Sequence, residues 1–103
     1  ILVYDVIMND EKMIQILSEL GNKTRIDIYR LLISYGDEGL VVGEIGKRLD
    51  IPPSTLNFHL RGLVDAGLVS QVKQGRSIIC TAKLEQLTEV LSKLQSECCS
   101  GIG

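Results

Sequence analysis

Residues 52–82 have the sequence PPSTLNFHLRGLVDAGLVSQVKQGRSIICTA, and this stretch decides the fold. Its first half places leucines at helical spacing after two prolines, with Ser54 available as a cap and Gly67 as a terminator. Its second half alternates apolar and polar residues on both sides of residues 73–75, KQG, as two short strands joined by a turn do. The stretch therefore predicts a helix followed directly by a β-hairpin.

Helices are predicted on both sides of this stretch. The spacing of leucine, isoleucine and methionine predicts a first helix from Asn9 or Asp10 to residue 20, a second over 22–36 and a short third over 40–51. A last helix is predicted over 82–98. The chain is therefore expected to be mainly α with a small β-hairpin, in the order α-α-α-α-β-β-α of a winged helix-turn-helix domain.

Rows of apolar residues indicate which side of each helix packs. On the fourth helix, the row lies within about 60° of the centre of one face. It consists of Leu56, Leu60, Leu63 and Val64. The rows on the first and last helices are Met13, Ile14, Leu17 and Leu20, and Leu84, Leu87, Leu91 and Leu94.

Length and composition indicate one domain, residues 1–103. Apolar residues make up 45% of the chain, and no apolar run approaches the roughly 20 residues of a membrane span. The opening residues 1–8, ILVYDVIM, lack a basic lead-in and contain Asp5, so neither a signal peptide nor an anchor is predicted. Three cysteines, two of them adjacent, make a poor disulfide framework, and a reducing cytoplasm is the expected compartment.

The charge distribution bears on nucleic-acid binding. A net charge of −2 argues against such a partner when it is taken over the whole chain. Residues 43–79, however, carry five lysines and arginines against three acidic residues. The basic excess is small, but it falls on the segment that contains the predicted helix and hairpin.

The outward face of the fourth helix has side chains suited to a major groove. Its exposed positions are predicted to be Ser54, Thr55, Phe58, Arg61 and Asp65, with Asn57 and His59 at the flanks. Hydroxyls can contact phosphates, Arg61 can contact guanine or phosphate, and Phe58 can contact a thymine methyl. Lys73 and Arg76 flank Gly75 at the hairpin, where they can reach the DNA backbone. Each basic residue alone is compatible with a solvated surface, but together, in this order of elements, they favour double-stranded DNA.

The run STLNFHLRGLVDAGLVSQVKQGR at 54–76 resembles the DNA-binding core of the ArsR-type (ArsR/SmtB) metalloregulators, and LGNKTRIDIYRLL at 20–32 resembles their second helix. The order of elements over 10–99 also matches. The resemblance implies a homodimeric winged-helix repressor that binds a palindromic operator and releases it when a metal or metalloid binds. It further implies a DNA-binding core at about 41–80 and dimerisation helices at about 9–20 and 82–98, which fits a leucine row that one small domain would struggle to cover.

The ligand sites of that family are only partly present. One is a Cys-x-Cys on the third helix, and the matching residues 39–49, GLVVGEIGKRL, contain no cysteine. Another uses histidine and carboxylate pairs on the last helix, which here has no histidine; the single histidine, His59, is expected to pack or to contact phosphate. Some members carry adjacent cysteines just after the last helix as an arsenic(III) site, and the resemblance extends that role to Cys98 and Cys99.

The chemistry of two adjacent thiols is consistent with that role. Thiolates are soft ligands that favour thiophilic ions such as trivalent arsenic and antimony(III). Neighbouring residues on an intact helix point about 100° apart, so chelation requires the helix to end near Cys98. Arsenic(III) takes three ligands, and the third is left open between solvent, the partner chain and the carbon of methylarsenite, because Cys80 is expected to pack in the core. Methylarsenite needs only two protein thiolates and is expected to act at least as well as arsenite.

The sequence therefore predicts a cytoplasmic, homodimeric repressor that trivalent arsenic (arsenite or methylarsenite) releases from its operator. A thiol redox-responsive repressor and a winged-helix protein-interaction module remain alternatives. An enzyme is not expected, because the chain has no glycine-rich phosphate loop and its single histidine has no evident nucleophile beside it. Neither an organic cofactor nor a membrane is implied.

Overall fold

A computed structural model describes residues 8–98 of the chain. Its elements are, in order, α1 Asp10–Leu20, α2 Lys23–Tyr35, a 3₁₀ turn Gly36–Glu38, β1 Leu40–Val41, α3 Val42–Leu49, α4 Pro53–Asp65, β2 Val69–Gln74, β3 Ser77–Ala82 and α5 Glu85–Ser96. This order confirms the predicted winged helix-turn-helix fold. The sequence did not predict β1, because two residues are too few to show an alternating pattern.

The three strands form one antiparallel sheet in the order β1–β3–β2. Strand β3 lies in the middle, with Cys80 opposite both Leu40 on β1 and Gln71 on β2. The hairpin of β2 and β3 is the wing, and β1 ties its base to the start of α3. The wing is therefore anchored to the helical part of the domain on both edges of β3.

The core lies around α2, whose Ile28, Tyr29 and Leu32 are buried. Every other helix and the hairpin contribute to the same cluster. The fully buried side chains include Ile16, Ile45, Leu56, Leu60, Leu63, Leu68, Cys80 and Val90. Burying a side chain of this size stabilises the fold by about 1.5–3 kcal/mol relative to leaving it in water.

Helices α1 and α5 bury different residues from those that the apolar rows indicated. Ile16 and Val90 are fully buried, whereas Ile14 is 63% exposed and Leu91 49% exposed. Only Met13, Leu20 and Leu87 of the two rows pack against the core. Leu17, Leu84 and Leu94 are exposed as well. Most of the two rows therefore lies on the surface of this chain.

Two helix starts test the predicted boundaries. Asn9 caps α1, since its side-chain oxygen accepts a hydrogen bond from the Lys12 amide at 2.8 Å. Ser54 does not cap α4, because the helix already begins at Pro53 with Pro52 in extended conformation before it.

The last helix is shorter than predicted. Ala82 pairs with Val69 in the sheet and the Lys83 amide donates to the Leu68 carbonyl at 2.8 Å, so α5 cannot begin before residue 84. The helix ends at Ser96. Among residues 8–98, no helix has the length and apolar character needed to cross a bilayer.

Candidate nucleic-acid interface

A tight turn between α3 and α4 sets the direction of α4. Asp50 ends α3 in the left-handed conformation, with φ 55 and ψ 51, and its amide donates to the Gly46 carbonyl. The Ile51 amide donates to the same carbonyl at 2.9 Å. A Cβ on Gly46 would lie 3.2 Å from the Ile51 carbonyl oxygen, so the glycine allows the turn to fold closely against α3. This arrangement is a helix-turn-helix, with α4 as the second, recognition helix.

Helix α4 divides into a buried and an exposed face, as the sequence predicted. Leu56, Leu60 and Leu63 point into the core. Ser54, Thr55, Asn57, Phe58 and Arg61 are exposed. Phe58 is the extreme case, because this large aromatic residue is 63% exposed. A face of this kind is suited to contact with another molecule.

The start of α4 leaves hydrogen-bond donors available. No side chain of residues 8–98 caps its first amides, and Ser54 lies exposed in the first turn. Uncapped amides at a helix N-terminus carry partial positive charge and bind anions such as phosphate.

His59 lies at the edge of the exposed face rather than on it. Its side chain is half-buried, and its Nδ1 accepts a hydrogen bond from Arg25 Nη1 on α2 at 3.3 Å. Its ring also meets the edge of Phe58, with ring centroids 5.4 Å apart. The packing that the sequence suggested for His59 is therefore present.

The wing turns at Gly75 and Arg76, between the ends of β2 and β3. Gly75 has a φ of 64 and Arg76 does not have a positive φ, the pattern of a two-residue type II′ turn. The turn is thus one or two residues later than predicted, and Lys73 lies within β2 opposite Ile78. Both basic side chains are exposed.

The basic residues of the middle segment fall into two groups. Lys47 and Arg48 on α3 form ion pairs with Glu44, and Arg48 also stacks on the ring of Tyr35. By contrast, Arg61, Lys73 and Arg76 form no ion pair with any residue from 8 to 98. The uncompensated positive charge therefore lies on α4 and the wing, where a DNA backbone would need it.

This architecture has relatives of known structure and name. A family model described as a helix-turn-helix domain matches residues 20–72, just over half of the chain. The transcriptional activator HlyU of Vibrio cholerae serotype O1 is 30% identical over 89 residues, which cover 84% of this chain and 80% of HlyU. A solved structure described as an ArsR family transcriptional regulator has a TM-score of 0.77 at 28% identity, covering 93% of this chain and 98% of that chain. The chain belongs to the ArsR family of winged helix-turn-helix transcriptional regulators.

Two further comparisons concern what other members of the ArsR family do. A protein of Halobacterium salinarum that is named as an arsenical resistance operon repressor is 39% identical over 66 residues, which are 64% of this chain and 50% of that protein. HlyU of Vibrio cholerae has also been solved in a form described as reduced, with a TM-score of 0.67, 28% identity, and coverage of 87% of this chain and 93% of HlyU. These relatives are named as regulators of transcription, not as enzymes, and the ArsR-family chain is accordingly a DNA-binding regulator.

The thiols of this ArsR-family chain lie in two different environments. Cys80 lies on β3 of the wing and is fully buried; Gln71 Nε2 lies 3.6 Å from its sulfur, and burial raises the pKa of its thiol. Cys98 is exposed, two residues after α5 ends. Cys99 lies outside the described residues, and within residues 8–98 no three histidine, cysteine or acidic side chains are grouped to hold a metal. Cys80 is thus buried within the sheet, whereas Cys98 is exposed beyond the end of α5.

Sequence reasoning missed the polar contacts behind the recognition helix. Arg25 and Glu19 both lie in the predicted helices, but neither was a candidate site residue, and both contact α4. Their only signal was the presence of charged residues at positions that helical spacing places next to the core. Such a signal does not tell an inward-facing charge from a solvated one.

Proposed function

We propose that this ArsR-family protein acts as a homodimer that binds a palindromic operator, with α4 in the major groove and the wing on the backbone, and that it represses transcription until trivalent arsenic binds Cys98 and Cys99. The observation that carries the DNA-binding part is the uncompensated charge of Arg61, Lys73 and Arg76 around the exposed face of α4. Family membership favours this function over a module that binds only proteins.

The exposed apolar side chains support the homodimer. Five of the ten large apolar side chains exposed among residues 8–98 lie on α1, on α5 or at the start of α5: Ile14, Leu17, Leu84, Leu91 and Leu94. Single exposed leucines are normal on a protein surface, but several on two helices that pack together indicate an interface. A second copy of the chain would bury them and hold two recognition helices at a fixed separation.

Operator binding is tested by selecting duplexes from a random-sequence pool with the purified full chain. We expect enriched sites with two-fold symmetry and half-sites about 10–10.5 base pairs, or one helical turn, apart. Binding should weaken steeply with salt, because neutralised phosphates release counterions. Enrichment of no duplex, or binding without salt dependence, would contradict the DNA-binding mode.

The paired thiols support the choice of effector. Cys98 is exposed at the end of a helix that bears part of the proposed interface, so a ligand there is placed to alter the dimer. Trivalent arsenic bound to thiolates would supply strong, directional bonds. Shifting a dimer from about 99% to about 1% DNA-competent requires roughly 5.5 kcal/mol, or roughly 2.7 kcal/mol for each chain.

The effector is tested by titrating arsenite, methylarsenite and antimonite onto the protein bound to a selected duplex. Release is expected for the unmodified chain, with methylarsenite at least as effective as arsenite. Cys98→Ser with Cys99→Ser should bind the duplex normally and fail to release it, while Cys80→Ala serves as the matched control that still responds. If the double variant is released as readily as the unmodified chain, the effector site is wrong.

Two features of the relative HlyU bear on alternatives to an arsenic-released repressor: one concerns activation of transcription, and the other concerns a thiol redox response. HlyU is named as an activator, and one of its structures is described as reduced. In the same assay, release by peroxide but not by arsenic would favour the redox response. A transcription assay with the selected duplex upstream of a reporter determines whether binding represses or activates.

A further inference from the structure

Three helices meet at the guanidinium of Arg25. Its Nε donates to the Glu19 carbonyl oxygen at 2.7 Å and lies 3.1 Å from the carboxylate Oε1 of the same residue, which joins α2 to the end of α1. Its Nη1 donates to His59 Nδ1 on α4 at 3.3 Å. The side chains of Arg25 and Glu19 are only 18% and 23% exposed, so water screens these contacts incompletely.

Gly62 allows Glu19 to reach the recognition helix. A Cβ at position 62 would clash with Glu19 Oε1, which is buried. Gly62 lies three residues after His59 and hence on the same side of α4. The carboxylate therefore rests on the part of α4 that bears His59 and holds the guanidinium of Arg25 beside it.

These contacts select one tautomer of the imidazole. Arginine is a donor only, so His59 Nδ1 must be the acceptor, and the proton of the neutral ring lies on Nε2. Nε2 makes no hydrogen bond within residues 8–98 and is not among the buried unpaired polar atoms, so it reaches solvent. The ring that carries it stands against Phe58, on the exposed face of α4.

We propose that Arg25 is a positioning residue for DNA binding: held by Glu19, it fixes the His59 ring so that Nε2–H donates to a phosphate oxygen of the operator. Phosphate is the acceptor because His59 lies at the edge of the outward face, where the backbone of a groove-bound duplex passes. The inference rests on the proposed docking of α4 in the major groove. In this arrangement Arg25 does not itself contact phosphate, and this separates Arg25 from the charged residues that do.

The test measures affinity for a selected duplex over a range of salt concentrations. Arg25→Met should weaken binding by about five- to tenfold, the effect of losing one oriented hydrogen bond, with the salt slope unchanged. Arg61→Met is the matched control, because loss of a charged phosphate contact should lower the slope by about 0.9. His59→Leu combined with Arg25→Met should be no weaker than His59→Leu alone, since both remove the same donor.

A second measurement is independent of DNA. His59 is the only histidine of the chain, so a long-range proton–nitrogen correlation spectrum reports its tautomer without ambiguity. The free protein should show the proton on Nε2, and Arg25→Met should shift the tautomer balance. Glu19→Gln, which keeps the side-chain volume, should cause a smaller loss of affinity and a smaller shift of the tautomer balance. It replaces Arg25→Met in both measurements if Arg25→Met does not fold.

The outcomes separate this inference from the proposed function. A fall in salt slope for Arg25→Met equal to that for Arg61→Met would mean that Arg25 itself contacts phosphate, and unchanged affinity would mean that its contacts only stabilise the fold; either result overturns the proposal. A proton on Nδ1 in the spectrum would also overturn it. Failure of the unmodified chain to bind any duplex would instead contradict the proposed function, while the spectrum would still test the tautomer.

Discussion

Tyr29 shows how one buried polar group links stability to pH. Its side chain is 2% exposed, and its hydroxyl donates to the Lys83 carbonyl at 2.7 Å, which ties α2 to the connection between the wing and α5. Burial, with a smaller contribution from the charge of Glu85, raises the pKa of Tyr29 from 10.0 to about 12. Between these two pH values the folded chain keeps the Tyr29 proton that the unfolded chain loses. The contribution of Tyr29 to the free energy of unfolding is therefore fully present below pH 10 and is lost as the pH rises through about 12.

The prediction concerns Tyr29→Phe. Between pH 9 and pH 12 the free energy of unfolding of the unmodified chain should fall by about 2 kcal/mol because of this group, and the variant should lack that part of the loss. At neutral pH the variant should be less stable by about 1 kcal/mol, since the hydroxyl's hydrogen bond is lost. Urea unfolding at each pH measures both effects. Tyr35→Phe is the control and should keep the alkaline loss; equal loss in Tyr29→Phe would contradict the assignment.

At the scale of elements, sequence patterns predicted what is local and missed what depends on neighbours. The leucine spacing of α4 gave the correct buried face, because Leu56, Leu60 and Leu63 all pack inside one chain. On α1 and α5, by contrast, Ile16 and Val90 are buried and most of the apolar row is exposed. Apolar periodicity does not tell a core from a surface left for a partner.

For the candidate site, too, local sequence patterns predicted the exposed residues but not the contacts between distant parts of the chain. The exposed residues of α4 followed from helical spacing alone, and the wing followed from alternation and Gly75. The contact of Arg25 with His59 joins residues 34 apart in sequence, and no periodic pattern reports it. The shift of the wing turn to Gly75 and Arg76 depends on strand register, which local composition fixes poorly.

The wing makes a prediction of its own as an element. Arg76→Gln at its turn should lower operator affinity for all sequences alike and reduce the salt slope by about 0.9, because one phosphate contact is lost. Lys93→Gln is the matched control, since Lys93 lies on α5 and forms an ion pair with Glu97 rather than extending from the wing. Salt-dependent anisotropy with a selected duplex measures both. An unchanged slope for Arg76→Gln would show that the wing does not reach the backbone.

At the scale of the whole molecule, operator binding and effector binding are both proposed to depend on α1 and α5, the helices with exposed apolar side chains. Two half-sites about one helical turn apart can be bound together only if the two recognition helices are held at that separation. One chain supplies one α4, and within it α5 packs against α1 while Leu91 and Leu94 stay exposed. Dimerisation through these helices would therefore connect the thiol end of α5 to the spacing that DNA binding requires.

Leu91→Glu tests that connection. Leu91 is 49% exposed and glutamate is a good helix former, so the single chain should stay folded, with an unchanged far-ultraviolet circular dichroism spectrum. A charge buried at the interface without a partner should instead abolish the dimer, and sedimentation equilibrium should show a monomer. Affinity for the two-fold symmetric duplex should fall by about 100-fold or more, because a monomer engages one half-site only.

Ser92→Glu provides the matched control for this variant, since Ser92 is exposed one residue further along α5, about 100° round the helix from Leu91. It introduces the same charge outside the leucine row, and it should remain dimeric with unchanged affinity. A monomer that binds the symmetric duplex as tightly as the unmodified chain would separate DNA binding from dimerisation. A Leu91→Glu chain that stays dimeric would place the interface on another face of the molecule and remove the route by which Cys98 is proposed to act on the operator.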